Sequence, residues 1–435
     1  MPWTRDDADH LLRRAGFGAS LSDVDRYFAL GQAGAIDALV NYESTPDPTW
    51  SNDIQIPQGT AVDTLGGVVN LLYQFYTSAR PLHAKMTWFW HGHFTTSYRS
   101  VEWQYIPRTI ALYRTNAMGN FGTFLSSVYK DAGMLLYLNG NGSNWKTPNQ
   151  NFAREALELF TMGPGAYTET DVRESARAWT GWGVVWPDGG VVVDWNQWDN
   201  GSKTILGQTA KFNGESLSYL LASRIETWLR MCGKLYMFFV NESLNLAEQT
   251  SLVKVWGASR GDLRVVTRAM LEAPSFWDSA NRWRVLKTPL DYAIGLMKRF
   301  DIAPARAQLV ELIGSMASMG YNVFDPINVS GYRQSNMLTG SSALLARYQF
   351  ASKVINLWAN ETTMARFSAG LTLPVSPATL VAQVASLMGS MPLAANTMAV
   401  IQSYLGSAPI GVTDITKRTR DVAFLIACSV EYQVM

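Results

Sequence analysis

Apolar residues recur along most of the chain at the three- and four-residue spacing of amphipathic helices, and glycine or proline interrupts this spacing where helices are expected to end. One stretch departs from the pattern. Short valine-rich runs flank Pro187-Asp188-Gly189-Gly190 and predict a β-hairpin with a tight turn. The pattern predicts a mostly α-helical, multi-helix protein with a small tryptophan-rich β-hairpin insertion at residues 183–208. The predicted helical regions are 5–42, 61–97, 102–138, 149–163, 169–178 and 214–435.

Nothing in the sequence divides the chain into separate units. Its 435 residues are 47% hydrophobic, which is enough for one large core or for two ordinary domains. No low-complexity stretch or internal period marks a boundary. We therefore interpret residues 1–435 as a single large domain, in which the polar, proline-containing residues 43–60 form a surface excursion.

Residues 149–163 open with a polar turn and continue as an amphipathic helix. One side of this helix is apolar, and the other is either the solvated face of a surface helix or part of a ligand site. The preceding loop, residues 139–148, is rich in amides and glycines and contains one tryptophan, which favours the ligand site. The polar face spans an arc of about 100° and carries Asn151, Arg154, Glu155 and Glu158.

Glu155 and Glu158 lie one helical turn apart, a spacing that suits acid and base chemistry on a glycosidic bond. An acid protonates the leaving oxygen while a second carboxylate, roughly 5 to 10 Å away, acts as base or nucleophile. We assign Glu155 as the acid and Glu158 as its partner, with Lys85, His91 and Arg154 setting their protonation. The leading hypothesis is a hydrolase acting on glycans.

Aromatic residues make up 12% of the chain, including 16 tryptophans, whereas charged residues make up only 16%. Tryptophan either fills cores or forms flat platforms for ligands with apolar faces, such as sugar rings. The tryptophans between residues 179 and 195 therefore form either a stacking surface above the polar helix or a small hydrophobic core. The candidate substrate contacts are Lys85, Trp90, His93, Asn149, Asn151, Arg154, Trp179, Trp182 and Tyr332.

Two further hypotheses use the same residues differently. In the first, His91 or His93 joins Glu155 or Glu158 in a metal-dependent hydrolase or redox enzyme. Residues two apart on a helix point roughly 200° apart, so both histidines bind one ion only if the segment is extended or the helix ends there. We assign no metal ligand and no cofactor. In the second, the protein is a non-catalytic carbohydrate-binding or envelope-assembly protein whose tryptophans hold a polymer.

Charge and hydropathy exclude some partners. A net charge of +1 gives no basic surface for nucleic acid. No run approaches the ~18 apolar residues of a membrane span, and no leader precedes the first predicted helix. The chain as written is expected to stay where it is made, whereas its low charge and its Asn, Ser, Thr and Gly content are typical of exported proteins. Both compartments stay open, as does the oligomeric state. The two cysteines are expected to be buried free thiols, with a single long-range disulfide as the alternative.

Several ordered motifs are similar to those of the large bacterial domain-of-unknown-function family 1800. They include Trp-His-Gly-His-Phe at residues 90–94 and Asn-Phe-Ala-Arg-Glu at residues 151–155. The resemblance runs from end to end and implies no settled reaction. The further motifs lie at 10–18, 85–86, 156–163, 167, 171–172, 176–182, 234–236, 328–332 and 431–433.

Two positions depart from the pattern that the resemblance implies. Gln150 stands where the family carries glutamate, and an amide keeps the shape and hydrogen bonds of a carboxyl group without transferring a proton. If that glutamate is the catalytic acid or base, this chain is a binder, a diverged member or a disabled variant. Tyr332 replaces a tryptophan, which preserves an aromatic face.

Overall fold

The computed structural model describes residues 2–49, 64–332 and 340–435. The surface excursion predicted for residues 43–60 therefore lies, from residue 50 onward, outside the described residues. Most of the described chain is helical, which confirms the predicted fold class. None of these helices combines the length and the apolar character needed to cross a membrane.

Among the described residues, ten α-helices precede the β insertion and twelve follow it. The first ten are α1 Arg5–Ala15, α2 Leu21–Ala29, α3 Gly31–Val40, α4 Thr64–Thr77, α5 Pro81–His93, α6 Ile106–Asn116, α7 Phe121–Tyr129, α8 Ala132–Tyr137, α9 Gln150–Glu158 and α10 Glu169–Ala178. The others are α11 Gly214–Ala222, α12 Ile225–Phe239, α13 Leu246–Ala258, α14 Leu263–Glu272, α15 Pro274–Trp277, α16 Pro289–Arg299, α17 Arg306–Ser318, α18 Ser341–Ser352, α19 Glu361–Ser368, α20 Pro377–Leu387, α21 Ala395–Leu405 and α22 Ile415–Cys428.

The insertion between α10 and α11 contains two small antiparallel hairpins. In the first, β1 (Trp182–Val185) pairs with β2 (Gly190–Val193), so that Trp182 lies opposite Val193. In the second, β3 (Lys203–Ile205) pairs with β4 (Gln208–Ala210). The predicted hairpin around Pro187-Asp188-Gly189-Gly190 is present, and a second, shorter one follows it.

One continuous cluster of buried apolar side chains extends from α1 to the final turn near Tyr432. Helix α5 is buried on nearly every side, because all its residues from Leu82 to His91 are buried. A helix buried all round belongs in the interior of a large domain. The interpretation of the chain as one domain stays a prediction.

Helix α9 and its neighbour α10 each begin at a side chain that caps the helix. Asn149 accepts a hydrogen bond from the Phe152 amide at 3.0 Å, and Thr168 forms a reciprocal capping box with Asp171. Such caps satisfy amides that have no partner inside the helix. Between the two helices the chain turns through Gly163 and Gly165, both with positive φ. Helix α9 is thereby fixed at both ends.

Lys85 lies in the core of α5 and forms a buried ion pair with Asp291 of α16. Replacement by the apolar Lys85→Met leaves the Asp291 carboxylate buried without its cation, so we expect a loss of about 3–5 kcal/mol in the free energy of unfolding. Urea unfolding of the purified variants measures this loss. The double variant Lys85→Met/Asp291→Asn is expected to regain part of it. Unchanged stability in Lys85→Met would show that the pair does not hold these helices together.

Candidate functional site

The tryptophans predicted to contact substrate lie in the core. Trp90 is fully buried, and its Nε1 donates to the Ala117 carbonyl at 2.9 Å. Trp179 packs edge-on against Tyr129 and Phe152 at centroid distances of 5.1 and 5.2 Å. Trp182 is only 4% exposed. Two interpretations of the 179–195 tryptophans were open, a stacking surface and a small hydrophobic core. Trp179 and Trp182 fit the hydrophobic core, because both are buried.

His91 and Tyr332 form a buried hydrogen-bonded pair on one side of α5. The Tyr332 hydroxyl accepts from the Phe324 amide at 2.9 Å and lies within hydrogen-bonding distance, 3.0 Å, of His91 Nδ1. The Tyr332 ring stacks on Trp88. Burial lowers the pKa of His91 to about 3, so the imidazole is neutral at physiological pH. Among the described residues, no hydrogen bond joins His91 or Tyr332 to Glu155 or Glu158.

His93 points from the opposite side of α5 toward α9 and α12. Its Nε2 lies 3.1 Å from the Phe160 carbonyl, and its Nδ1 lies 2.9 Å from Lys234 Nζ. The ring therefore donates to the carbonyl and accepts from the lysine, which occupies both nitrogens. Burial lowers the pKa of His93 well below its usual range. The two histidines diverge as expected for residues two apart on a helix.

The described side chains provide no set of ligands for the metal ion of the metal hypothesis. Within residues 2–49, 64–332 and 340–435, no group of three His, Cys, Asp or Glu side chains is placed to hold one ion. His93 uses both ring nitrogens within the protein. Cys232 and Cys428 are free thiols.

Glu155 and Glu158 share the half-buried part of the α9 polar face. The Tyr167 hydroxyl donates a short hydrogen bond to Glu158, and Arg154 forms two parallel bonds, of 2.8 and 2.7 Å, to Glu169. Burial and then the charge of Glu158 raise the pKa of Glu155. Burial and the Glu158 carboxylate raise the pKa of Tyr167 to about 12, so its proton stays on the phenol.

The amides at the start of α9 have mainly structural partners. Asn149 caps the helix and also donates to the Asn139 carbonyl, whereas Asn151 Nδ2 reaches the Leu138 carbonyl at 3.4 Å. Gln150 is the first helical residue and is exposed. Position 150 therefore faces solvent at the end of the helix that lies farther from Glu158.

Three residues near this face were not predicted from the sequence. Tyr137 lies close enough to Asp325 and Glu155 for their charges to add to the effect of burial in raising its pKa. Arg230 and Lys234, on α12, approach Glu158 and His93. Their four-residue spacing places both on one side of a helix, so the sequence alone could have indicated this pair of cations.

The exposed tryptophans belong to the 139–148 loop and to the insertion. Trp145 is 51% exposed, Trp186 is 50% and Trp195 is 60%. Backbone hydrogen bonds join the two segments, from Trp145 to Gln197 at 2.9 Å and from Gly181 to Ser143 at 2.7 Å. Trp145 and the residues after β2 therefore form one surface, and Asn149 is attached to it through Ser143.

Burial, together with the charge of Arg230, lowers the pKa of Lys234 to about 7. After reductive methylation of lysines with ¹³C-labelled formaldehyde, NMR spectra are expected to contain a signal that titrates near pH 7. This signal should vanish in Lys234→Arg and persist in Lys298→Arg, because the pKa of Lys298 is lowered only to about 8. If removal of Lys234 takes away no signal that titrates near neutrality, its ammonium is better solvated than the structure indicates.

Comparison with known proteins agrees with the ordered motifs. The model of a family described as "Protein of unknown function (DUF1800)" matches residues 10–434 of the 435. No curated protein and no solved structure matches the chain. Because the family model covers the chain essentially from end to end, this protein belongs to the DUF1800 family.

Proposed function

We propose that this protein acts on the glycosidic bonds of a polysaccharide or oligosaccharide, with Glu155 as the acid and Glu158 as the partner carboxylate. The observation that carries the proposal is the contrast between the two carboxyl groups. Burial raises the pKa of Glu155, which favours a proton on that group, whereas Glu158 accepts a hydrogen bond from Tyr167. Paired carboxyl groups in different environments are what acid and base roles require.

The carboxyl groups of Glu155 and Glu158 have different roles in the proposed reaction. Glu155 gives its proton to the glycosidic oxygen while the bond from that oxygen to the anomeric carbon breaks. Glu158 either takes a proton from the attacking water or attacks the anomeric carbon itself. Side chains three apart on a helix have β-carbons about 5–6 Å apart, so the carboxyl groups fall in the range that these reactions use.

The exposed tryptophans supply a platform for the ligand. Trp145 and Trp195 are each more than half exposed and belong to one hydrogen-bonded surface. Flat rings in such positions stack on the apolar faces of sugars. The surface is joined through Ser143 to Asn149, the residue that caps the helix of the glutamates.

A second candidate function is carbohydrate binding without turnover. It is favoured by Gln150, an amide at a position where the family resemblance implies a glutamate. The tryptophan surface does not need Glu155 or Glu158 to bind a polymer. The two candidates therefore share a ligand and differ in whether a bond is broken.

Binding is tested by a thermal-shift screen against neutral and acidic oligosaccharides, run with and without a chelator. A ligand at about a hundred times its Kd adds ~2.7 kcal/mol of stability, whether or not turnover occurs. We expect a shift that is indifferent to chelator and that is lost in Trp195→Ala. Tyr404→Ala, which removes another half-exposed aromatic ring, is the matched control. A panel without any shift would refute both candidates, and a fall in stability on chelation alone would favour the metal hypothesis.

Catalysis is tested with Glu155→Gln, using release of reducing ends from a glycan that binds. Loss of a general acid is expected to lower kcat by about 10²- to 10⁴-fold while the ligand still binds. Glu272→Gln is the control, because that carboxylate lies on α14 and pairs with Arg268, away from α9. Activity should fall as pH rises past the pKa of Glu155. If the natural chain binds without turnover, Gln150→Glu is expected to produce activity under the catalytic hypothesis. Equal activity in Glu155→Gln and the natural chain would remove Glu155 from its role.

A further inference from the structure

Arg230 on α12 has a guanidinium group without a partner in the described part of the chain. No hydrogen bond or ion pair joins it to another described residue, and its Nε is buried. Glu158 is near enough to influence the pKa of Arg230 but does not form an ion pair with it. Other half-buried arginines differ: Arg177, for example, binds both Asp199 and Glu174. The remaining guanidinium donors of Arg230 have no partner among the described residues, and such donors are free to bind an anionic ligand in place of water.

The turn after α9 leaves room for this guanidinium. Gly163 has a φ of +92°, and a β-carbon at that position would lie 2.9 Å from Arg230 Nη1. The conformation and the close approach both favour glycine. The backbone of the turn therefore lies directly against the guanidinium, at the end of the helix that carries Glu158.

Lys234 adds a second cation one turn further along α12. Its Nζ donates to His93 Nδ1, and no carboxylate of the described residues lies within ion-pair distance of it. His93 is a neutral acceptor, since burial lowers its pKa well below its usual range. Two cations on one helix face repel each other, and a bound anion relieves that repulsion.

We propose that Arg230 and Lys234 form a subsite for an anionic group of the glycan, a carboxylate such as that of a uronic acid residue. The inference rests on the proposed function and names the class of sugar. A guanidinium binds a carboxylate through two parallel hydrogen bonds, and the ammonium adds a point charge. The charge of the neighbouring Glu158 disfavours a dianion at this place, so a singly charged group fits better than a phosphate monoester.

Binding to this subsite depends on pH through Lys234. The groups that face its ammonium are His93 from α5, Arg230 from α12 and, beyond Arg230, Glu158 from α9. His93 stays neutral and Arg230 stays charged near neutrality, whereas burial and the charge of Arg230 bring the pKa of Lys234 to about 7. Protonated Lys234 attracts the anion, so an acidic glycan is expected to bind more tightly at pH 6 than at pH 8.

The test is isothermal titration calorimetry of the full-length protein with tetragalacturonate and with its fully methyl-esterified form, at pH 6 and pH 8. A charge-assisted bidentate contact corresponds to about 10- to 100-fold in Kd, so the free acid should bind tighter than the ester by that factor at pH 6. Arg230→Gln and Lys234→Gln are expected to abolish the preference. Arg224→Gln is the matched control, because Arg224 precedes the same helix and pairs with Glu226 at 3.3 Å.

The outcomes separate this inference from the function on which it rests. Equal Kd values for acid and ester, or an unchanged preference in Arg230→Gln, overturn the subsite and leave glycan binding in place. Preference for a sulfated oligosaccharide that Arg230→Gln abolishes keeps the subsite and assigns it to a sulfate ester. If Arg230→Gln does not fold, Arg230→Lys keeps the charge without the planar fork and is expected to lose most of the preference.

Absence of binding by every glycan refutes the proposed function. In that case, thermal shifts with acetate and with sulfate, measured at constant ionic strength, test whether the subsite binds an anion. Stabilisation of the natural chain by acetate but not of Arg230→Gln supports an anion site with another ligand. Identical shifts in the two proteins overturn it.

Discussion

The structure depends on the nearly complete burial of α5 and on the partners that the polar side chains of this helix find in other elements. Lys85 pairs with Asp291, His91 with Tyr332, and His93 with Phe160 and Lys234. The Trp90 indole nitrogen is satisfied in the same way by a backbone carbonyl. A buried polar group without a partner costs more than a hydrogen bond contributes, so each of these contacts fixes another element against α5. The central helix thereby sets the positions of α16, the segment near Tyr332, the end of α9, and α12.

This constraint also determines which residues reach the α9 face. His93 holds the end of α9 through the Phe160 carbonyl and holds α12 through Lys234. Glu158 of one helix consequently lies near enough to Arg230 of the other for their charges to interact. His93 acts by positioning these groups, since neither of its nitrogens is free to meet a ligand.

The local sequence pattern was sufficient to predict the secondary-structure elements. It was insufficient to predict the tertiary surroundings of individual side chains. Helical periodicity predicted α9, and the valine-rich runs predicted the insertion after α10, because these depend on neighbouring residues. The spacing of His91 and His93 correctly predicted that they diverge. Periodicity could not predict that Lys85 is a core residue, because its partner lies 206 positions away. Nor could it separate Trp182, which is buried, from Trp195, which is exposed, since their difference depends on what packs above each one.

The hydrogen bonds that fasten the 139–148 loop to the insertion have a consequence for recognition. A loop rich in glycine and asparagine is ordinarily mobile, and a ligand that binds to such a loop must offset its lost conformational entropy. Here Trp145, Gly142 and Ser143 are already tied to the backbone of the insertion. The aromatic surface is therefore preorganised, and a polymer of low intrinsic affinity per sugar is able to gain from each ring without first ordering the loop.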